Sequence, residues 1–513
     1  MLASVRSATL IGIAGQPVQV EVHVSNGLPG YCVVGLPDAA GRESRERVRA
    51  ALLSSELGWP QRRITVNLAP AAVRKTGSGL ELAVALGLLA AAGDLAEHTL
   101  EGIGVLGELG LDGGVRPIPG TLALVDALRC DGAREVVVPI AVAAEANLVD
   151  GVTVRPARTL AELRDCLKGE APWPEPPEAP PPPPPDPDAP DLAEVRGLAG
   201  ARRTLAVAAA GSHHLLLVGP PGVGKTMLAR RLPSILTPLA PCDALEVTRI
   251  HSVAGLAPAG ILMRERPLRA PHHSTSTVAL VGGGSGGRIR PGELTLAHRG
   301  ILFLDELAEF GPSALESLRQ PLEERLVRVS RHGATLDLPA DVLLVACCNP
   351  CPCGLARRHC RCSEPQRERY RRRLSEPLLD RFDLRLAVEA PRPNEPPGPP
   401  SATVRCEVAR AVGRQERRYR GRPWQRNAHV PASALERESP LASSTAALER
   451  VIAAERDLSA RGIVRLRRVA RTIADLDGRT SITAMDIGEA VQMRPLDRDP
   501  LAAPSPRPEV DAA

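Results

Sequence analysis

Near the middle of the chain, eight consecutive residues have the spacing of a phosphate-binding loop. They follow the pattern G-x-x-x-x-G-K-[ST], in which the backbone N–H groups of a glycine-rich turn surround a polyphosphate. The lysine of this pattern reaches the β- and γ-phosphates, and the final hydroxyl holds Mg²⁺. The sequence therefore predicts a site for ATP and Mg²⁺ formed by Gly219, Pro220, Pro221, Gly222, Val223, Gly224, Lys225 and Thr226.

The residues on either side of the loop favour the same interpretation. Residues 213–218 predict a buried parallel strand that enters the loop, and residues 227–232 predict the helix that leaves it. The whole chain contains three lysines, Lys75, Lys168 and Lys225. One of them, Lys225, stands in the phosphate loop, where a compact ammonium group is needed rather than a planar guanidinium.

A second apolar segment ends in a pair of carboxylates. Residues 301–304 predict a buried strand, and Asp305 and Glu306 follow it directly. An ionised Asp305 near the phosphate loop would bind Mg²⁺ directly or through water. Glu306 stands one residue further on, where a carboxylate orients and deprotonates the attacking water. We interpret the pair as catalytic rather than as a solvated strand end.

Two further polar residues follow apolar segments. Asn349 comes after the strand predicted at residues 342–346, at the sheet edge where ligands of open α/β sheets bind. It is predicted to hold the lytic water or to sense the γ-phosphate. If subunits form a ring, Arg381 would reach the γ-phosphate of a neighbour as an arginine finger. An ordinary ion pair of Arg381 with Asp380 or Asp383 is the alternative.

Composition breaks divide the 513 residues into about three domains. A stretch rich in proline predicts an extended spacer, and the alternation of strands and helices after it predicts a doubly wound core. We predict a front domain at residues 1–170, the spacer at 171–190, an ATPase core at 191–390, a helical lid at 391–500 and a disordered tail at 501–513.

Composition also limits the partners and the compartment. The longest apolar run, residues 80–92, is too short to span a membrane, so we predict a buried helix and no membrane partner. The presence of eleven cysteines without a secretion signal favours reduced thiols or a metal in the cytoplasm. Aromatic residues make up 2% of the chain, which disfavours a nucleic-acid site built on base stacking. Nucleic acid would instead be held by arginine contacts to phosphates.

Several longer strings identify a family. They are residues 269–274 (RAPHHS), 279–284 (ALVGGG), 291–298 (PGELTLAH), 349–354 (NPCPCG) and 469–476 (VARTIADL). Together with the ATPase elements, they resemble the YifB/ComM family of magnesium-chelatase-like AAA+ ATPases over nearly the whole chain. The resemblance implies a hexameric ring in which Asn349 is sensor 1 and Arg381 is the finger. It also implies that Arg461, at the start of a lid helix, is sensor 2, with Arg468 as the second choice. Leu198 departs from the family, which tends to have glutamine there, and this bears on contacts to adenine.

Two segments of the core are predicted to face DNA. The resemblance makes residues 282–291 part of a helix-2 insert that faces the pore of a ring, and this insert contains Arg288 and Arg290. Residues 325–338 alternate around His332 as a β-hairpin does. Arg331 and His332 would stand near its tip and contact DNA phosphates without reading the sequence. An ordinary surface hairpin is the alternative.

An arginine-rich stretch, residues 357–373, follows the predicted sensor 1. Charged runs are usually solvated faces, and a subunit interface or a DNA contact are the other interpretations. Four cysteines in and just before this stretch would form a tetrahedral thiolate site for structural Zn²⁺, although C-x-C is tighter than the usual spacing. The candidate ligands are Cys351, Cys353, Cys360 and Cys362, and free reduced thiols are the alternative.

The front domain resembles a protease domain that lacks its catalytic pair. Residues 107–118 resemble a hairpin of the Lon protease domain, and Ser78 precedes a buried helix as the protease nucleophile does. A Ser–Lys protease needs a lysine beside the hydroxyl, but the segment after Pro117 contains none. Lys75 is too close to Ser78 along the chain to point at it. We therefore predict this fold without peptidase activity.

The predicted fold class is α/β, with a P-loop AAA+ core and a helical lid preceded by a Lon-protease-like (S5-type) α/β domain. We expect a Mg²⁺-dependent ATPase that forms a homo-hexamer around single-stranded or branched DNA. The resemblance implies helicase or branch-migration work in recombination or natural transformation. A chelatase-type motor that remodels a protein partner and an ATP-dependent protease are the alternatives.

Overall fold

The computed structural model describes residues 1–494, except for 36–38, 72–74, 76–77, 179, 182–185, 187, 259, 285–288, 332–333, 356–359, 391–394, 443–444 and 456–457. For a few residues inside helices and strands, among them Arg331, only the backbone is described. Two predicted DNA contacts, Arg288 and His332, lie outside the described residues, as does the predicted tail at 501–513.

The front domain is built on a mixed sheet. Its strands are β1 (Leu2–Ile11), β2 (Ala14–Ser25), β3 (Gly30–Val34), β4 (Arg63–Ala69), β5 (Ile103–Val105), β6 (Glu108–Leu109), β7 (Val115–Arg116), β8 (Glu135–Pro139) and β9 (Thr153–Ala157). Seven of them form one sheet in the order β3-β4-β2-β1-β5-β8-β9, and β6 pairs with β7 in a separate ribbon. β1 and β2 form a long antiparallel hairpin, because every second residue from Val18 to Val24 is a buried valine.

Helices cover this sheet. They are α1 (Ala39–Ser54), α2 (Glu81–Ala92), α3 (Thr121–Cys130), α4 (Ala143–Ala146) and α5 (Leu160–Lys168). α2 is apolar all round and buried almost throughout, which confirms the buried helix predicted from the apolar run. Gly87 lets it approach the sheet closely, since a Cβ there would lie 2.6 Å from Cγ2 of Val22. Its one acid, Glu81, accepts hydrogen bonds from Arg47 and from the N–H of Leu109.

The ATPase core is a parallel sheet with two small ribbons attached. Its strands are β10 (Leu215–Val218), β11 (Leu268–Arg269), β12 (Gly282–Gly283), β13 (Arg290–Pro291), β14 (Ile301–Leu304), β15 (Leu326–Arg331), β16 (Ala334–Pro339), β17 (Leu343–Cys348) and β18 (Leu384–Ala387). The sheet order is β11-β14-β17-β10-β18, with every pair parallel. β10, β14 and β17 are fully buried because helices cover both faces of the sheet. Their carboxyl ends meet at one edge.

The remaining helices form the flanks of the core and a helical carboxyl-terminal part. The core helices are α6 (Ala199–Gly211), α7 (Lys225–Arg231), α8 (Pro241–Val253), α9 (Thr277–Val281), α10 (Glu293–Leu296), α11 (Pro312–Ser317), α12 (Arg319–Glu324), α13 (Glu364–Arg371) and α14 (Glu376–Leu379). The later helices are α15 (Ser401–Arg418), α16 (Leu435–Glu438), α17 (Thr445–Glu455), α18 (Ala460–Leu476) and α19 (Ala484–Gln492). Between residues 171 and 190, the described part of the chain contains no helix or strand.

Two boundaries differ from the sequence prediction. The strand before the phosphate loop begins at Leu215 rather than at His213. The N–H of His213 donates to the carbonyl of Ala208 at the end of α6 instead of to a neighbouring strand. The helix after the loop begins at Lys225, two residues earlier than predicted, because the loop's last glycine precedes it directly.

The two segments predicted to face DNA are both short antiparallel ribbons. β15 and β16 pair from Leu326 with Pro339 to Arg331 with Ala334, which confirms the predicted hairpin. At the two ends of the insert, β12 pairs with β13, Gly282 with Pro291 and Gly283 with Arg290. β12 also lies beside β15, so the insert and the hairpin are neighbours.

The front domain rests on the core through α3 and through the turn between β1 and β2, where Ile13 joins an apolar cluster of the core. α3 packs against α8, and the N–H of Gly120 donates to the carbonyl of Ser252 over 3.2 Å. The hydroxyl of Ser252 donates to Glu145, and Arg249 lies 3.9 Å from Asp126. This contact joins the front sheet to the ATPase core by polar bonds as well as by packing. Within the described ranges, no helix is long and apolar enough to cross a membrane.

Candidate nucleotide site

The phosphate loop lies between β10 and α7, and its shape depends on glycine. Gly222 and Gly224 have φ values of 81° and 95°, which favour residues without a Cβ. At Gly219, an added Cβ would lie 2.4 Å from the carbonyl oxygen of Val388. Nothing lies within 4 Å of a Cβ built on Gly222, so this part of the loop faces open space where phosphates fit.

The ammonium group of Lys225 is held at the mouth of the loop. Its Nζ donates to the carbonyls of Gly219 and Pro220, over 2.7 and 2.8 Å, and to Oδ1 of Asn349 over 3.1 Å. Burial lowers the pKa of Lys225 from its ordinary value. The predicted sensor 1 and the loop lysine are therefore in direct contact. Phosphate oxygens would replace these neutral acceptors with charged ones.

A hydroxyl and a carboxylate lie side by side where Mg²⁺ is predicted. Oγ1 of Thr226 donates to Oδ2 of Asp305 over 2.9 Å, and Asp305 directly follows the end of β14. Oxygen donors of this kind are the ligands that Mg²⁺ prefers. The two side chains fit a magnesium ion shared with the phosphates of the nucleotide.

Glu306 has an unusual backbone conformation for a residue with a side chain. Its φ is 52°, in the left-handed region, and its side chain is 57% exposed toward the cavity. Nδ1 of His273 lies 3.7 Å from Oε2 of Glu306. No role could be assigned to His273 from the sequence, although it and His272 follow β11 of the same sheet. His273 is thus placed to orient the carboxylate.

These groups line one cavity of about 480 Å³. The structure brings together the predicted residues Lys225, Thr226, Asp305, Glu306 and Asn349 around it. Among the described residues, no arginine lines this cavity. The predicted finger and sensor 2 are therefore not part of the same site within one chain.

Arg381 and Arg461 instead line a second cavity, of about 420 Å³, together with Arg465 and Arg468. Arg381 forms an ion pair with Glu323 at the end of α12, and not with either neighbouring aspartate, so the alternative partners suggested by the sequence are wrong.

The neighbouring aspartates are occupied by another arginine. Arg465 lies 3.3 Å from Asp380 and 3.8 Å from Asp383, which also pairs with His213 at 3.1 Å. Although burial opposes ionisation, the hydrogen bond from His213 helps to hold the pKa of Asp383 below its usual value.

The two candidates for sensor 2 differ in how they are held. Arg461 is exposed in the first turn of α18, and the described part of the chain gives it no ion-pair partner. Arg468 donates from Nε to the carbonyl of Val430 over 2.8 Å. Of the two, Arg461 is the one whose guanidinium can reach a ligand outside its own chain.

The remaining predicted residues lie apart from both cavities. Arg290 is exposed in β13 of the insert, and the backbone of Arg331 ends β15. In the front domain, Ser78 donates to Glu108, whereas Nζ of Lys75 donates to the carbonyl of Pro70. Ser78 and Lys75 therefore bond to different partners in the structure. The absence of peptidase activity stays a prediction. The likeness of this domain to Lon protease stays a prediction.

The four candidate metal ligands do meet in space. One ligand atom from each of Cys351, Cys353, Cys360 and Cys362 lies within 4.8 Å of the others. Hydrogen bonds from the backbone N–H groups of Leu355 and Arg361 lower the pKa of Cys353 to about 6. This cluster is distinct from the oxygen donors of the nucleotide cavity.

A phosphate loop that opens a helix, a strand-end Asp-Glu pair and an asparagine at the end of a third parallel strand define an ATPase of the AAA+ class. Comparison of the chain with models of known protein families agrees with this class. Residues 191–395 match the family model of magnesium chelatase subunit ChlI, residues 20–142 match that of subunit ChlI of Mg-chelatase, and residues 398–494 match the carboxyl-terminal model of the same subunit.

Curated relatives match nearly the whole chain. An uncharacterized protein of Mycobacterium tuberculosis H37Rv is 45% identical over 494 residues, covering 95% of this chain and 97% of the relative. The uncharacterized protein YifB of Escherichia coli K12 is 39% identical over 503 residues, and the competence protein ComM of Haemophilus influenzae is 38% identical over 506. Each of these two alignments covers 97% of this chain and 98% of the relative. The chain belongs to the YifB/ComM family of magnesium-chelatase-like ATPases.

Proposed function

We propose that this protein is a Mg²⁺-dependent ATPase that assembles as a hexameric ring around DNA and couples hydrolysis to movement along it. The observation that carries the proposal is the separation of the catalytic groups between two cavities of one chain. The nucleotide cavity holds phosphate ligands and carboxylates, and the second cavity holds Arg381 and Arg461. A ring in which each protomer presents its second cavity to the next protomer's nucleotide unites the two sets.

Arg381 has the properties that such a role requires. Its Nε is buried and has no hydrogen-bond partner among the described residues. Its ion pair with Glu323 is formed at an exposed carboxylate, with Glu323 58% exposed, which a phosphate of another subunit can replace. An unsatisfied buried donor is costly, so a charged acceptor from outside the chain would stabilise this arrangement.

The chain's own residues divide the work of hydrolysis. Glu306 takes a proton from the water that attacks the γ-phosphate, and Asn349 holds that water in line. Lys225 and the neighbour's Arg381 stabilise the charge on the transferring phosphoryl group. Mg²⁺, held by Thr226 and Asp305, would supply further charge neutralisation.

DNA as the substrate is supported by the two neighbouring ribbons. The insert and the β15–β16 hairpin lie together, and both bear arginines, Arg290 and Arg331. Six copies around a ring would multiply weak phosphate contacts into firm binding without sequence readout. One relative carries the name competence protein, which supports a role in processing transforming DNA. We therefore infer branch migration or unwinding as the coupled work.

DNA-stimulated ATPase activity tests the proposal. The ATPase rate should rise with single-stranded, duplex or forked DNA, and the stimulation should fall steeply with salt. Arg290→Ala and Arg331→Ala should weaken stimulation while preserving the basal rate. Arg158→Ala, an exposed arginine of the front domain paired with Glu162, is the matched control.

The same assay separates DNA from a protein substrate. A particle that hydrolyses ATP but shows neither stimulation nor salt-sensitive binding with any of the three DNAs would contradict the DNA motor. That outcome would favour a chelatase-type motor acting on a protein partner, in keeping with the family models that the chain matches.

A further inference from the structure

Four sulfur atoms converge in the loop that follows Asn349. Sγ of Cys351 lies 3.3 Å from that of Cys353 and 3.6 Å from that of Cys360, and Cys353 and Cys360 are 3.8 Å apart. Cys362 completes the group, whose ligand atoms all lie within 4.8 Å. Within the described ranges, this is the only set of three or more candidate ligands that meets in this way.

The spacing fits one tetrahedral ion. Zinc bound by thiolates has Zn–S bonds of about 2.3 Å, which places the sulfurs about 3.8 Å from one another. A pair of disulfides would instead bring two sulfurs to about 2.05 Å and leave no common centre. The three separations of 3.3, 3.6 and 3.8 Å are close to the tetrahedral value and favour a single ion shared by the four sulfurs.

The surroundings supply hydrogen-bond donors and positively charged side chains. Backbone N–H groups of Leu355 and Arg361 donate to Cys353, as outer hydrogen bonds do at metal sites. Arg361, Arg369 and Arg373 line a cavity together with Cys353 and Cys362. Four thiolates and one Zn²⁺ carry a net charge of about −2. The guanidinium groups of Arg361 and Arg369 would offset this charge, whereas Arg373 is paired with Glu309.

The cysteine loop and α13, which follows it, each contact the nucleotide site. At Gly354, where φ is 72°, an added Cβ would lie 2.9 Å from Pro221, so the loop rests directly on the phosphate loop. The hydroxyl of Tyr370 donates to the carbonyl of Asn349 over 3.3 Å and lies 3.5 Å from Sγ of Cys348. The position of Asn349 therefore depends on how the cysteine loop is folded.

We propose that the four cysteines of this loop bind one Zn²⁺ as thiolates, and that the ion holds the loop against the phosphate loop so that Asn349 stays beside Lys225. Each thiol releases its proton to solvent as its S–Zn bond forms, and no electrons are transferred. The metal site stands independently of the proposed function. The positioning of Asn349 rests on the proposed ATPase.

Metal content tests the first half. Full-length protein purified without chelator should contain about one zinc per chain by mass spectrometry, and cobalt exchange should give thiolate charge-transfer absorption. Cys353→Ser and Cys362→Ser should lose the metal, whereas Cys406→Ser, an exposed cysteine outside the cluster, should keep it. If the serine variants do not fold, a mercurial titration of the wild type should release the zinc as the cluster thiols react. Folded wild-type protein with less than about a tenth of a zinc per chain, with iron instead, or with the four cysteines as disulfides would overturn the site.

The kinetics of protein from which zinc has been removed test whether the ion positions Asn349. Removing zinc should lower kcat about tenfold, while the Kd of a fluorescent ATP analogue changes less than about twofold. In Asn349→Ala, which should show the same split, zinc removal should have no further effect. An unchanged kcat, or an equal loss in the variant and the wild type, would overturn the positioning role. If the wild type hydrolyses no ATP, the proposed function and the positioning role fail together, and the zinc stoichiometry still decides the metal site.

Discussion

The two cavities of the ATPase core have similar volumes, about 480 and 420 Å³, but they are lined by different charged side chains. The nucleotide cavity carries Lys225, Asp305 and Glu306, and no arginine of the described chain reaches it. The second cavity is lined by several arginines. Among the described residues, the Nε of one of them, Arg381, has no hydrogen-bond partner. One cavity can bind and cut a triphosphate, and the other can stabilise the charge that develops.

In the proposed ring, this difference would leave a single chain with every catalytic group and yet inactive alone. Phosphoryl transfer depends on positive charge placed around the transferring group, and an arginine supplied from outside a site accelerates it strongly. Under the proposed function, placing that arginine in a different cavity would make hydrolysis conditional on assembly. The changes below separate the contributions of the two cavities.

Arg381→Ala should have the largest effect. Removing the finger should lower kcat by about three orders of magnitude or more, because the transition-state charge loses its guanidinium. Nucleotide affinity should change much less than kcat, because Lys225 and the phosphate loop that line the nucleotide cavity are untouched. The check is steady-state ATPase activity beside nucleotide binding, with Arg158→Ala as control. Full turnover in the variant would remove the second cavity from catalysis.

Glu306→Gln should cost about two to three orders of magnitude in kcat, because an amide cannot accept the proton of the attacking water. ATP should remain bound, since Lys225 and the phosphate loop are untouched. The rate at which ATP already bound to the variant is hydrolysed in a single turnover measures the loss. A variant that both binds and hydrolyses normally would show that this carboxylate is merely solvated.

His429, which lines the second cavity, should make the free energy of unfolding depend on pH. Burial lowers the pKa of His429 to about 4, whereas the unfolded chain binds this proton near pH 6.5. Between these values the unfolded state binds more protons, so the free energy of unfolding falls as the pH drops. The loss is about 2 kcal/mol by pH 5.

Denaturant unfolding at pH 7.5 and pH 5 checks this prediction. His429→Gln should reduce the difference in unfolding free energy between the two pH values, whereas His98→Gln, at an exposed histidine, should leave it unchanged. An equal pH dependence in wild type and His429→Gln would show that folding does not lower the pKa of His429.

Ser78→Ala, in the front domain, should have no effect on ATP hydrolysis, because Ser78 lies outside both cavities and bonds to Glu108. Neither the wild type nor the variant should degrade casein. Casein degradation that is present in the wild type and absent in the variant would restore the protease interpretation.

Local patterns made the nucleotide cavity predictable. Each pattern consists of residues that are adjacent in the chain: a glycine-rich turn, an apolar strand or a polar residue at a strand end. Lys225, Asp305 and Asn349 could therefore be assigned from the sequence. The helix around Gly87 could be assigned for the same reason.

Long-range contacts were not predictable. Arg381 pairs with Glu323, 58 residues away, and that choice depends on how α12 packs. His273 follows a strand of only two residues, so no apolar run marks its place beside Glu306. The convergence of the four cysteine sulfurs likewise depends on the folded loop rather than on the C-x-C spacing.

The most direct test of the composite site mixes two inactive chains. Glu306→Gln lacks the base and Arg381→Ala lacks the finger, so rings of either variant alone should be inactive. When the two are co-assembled at equal amounts, about a quarter of the interfaces should join an intact nucleotide cavity to an intact second cavity. We predict that ATPase activity returns to about a quarter of the wild-type rate. A co-assembled ring no more active than the two variants separately would contradict an active site shared between protomers.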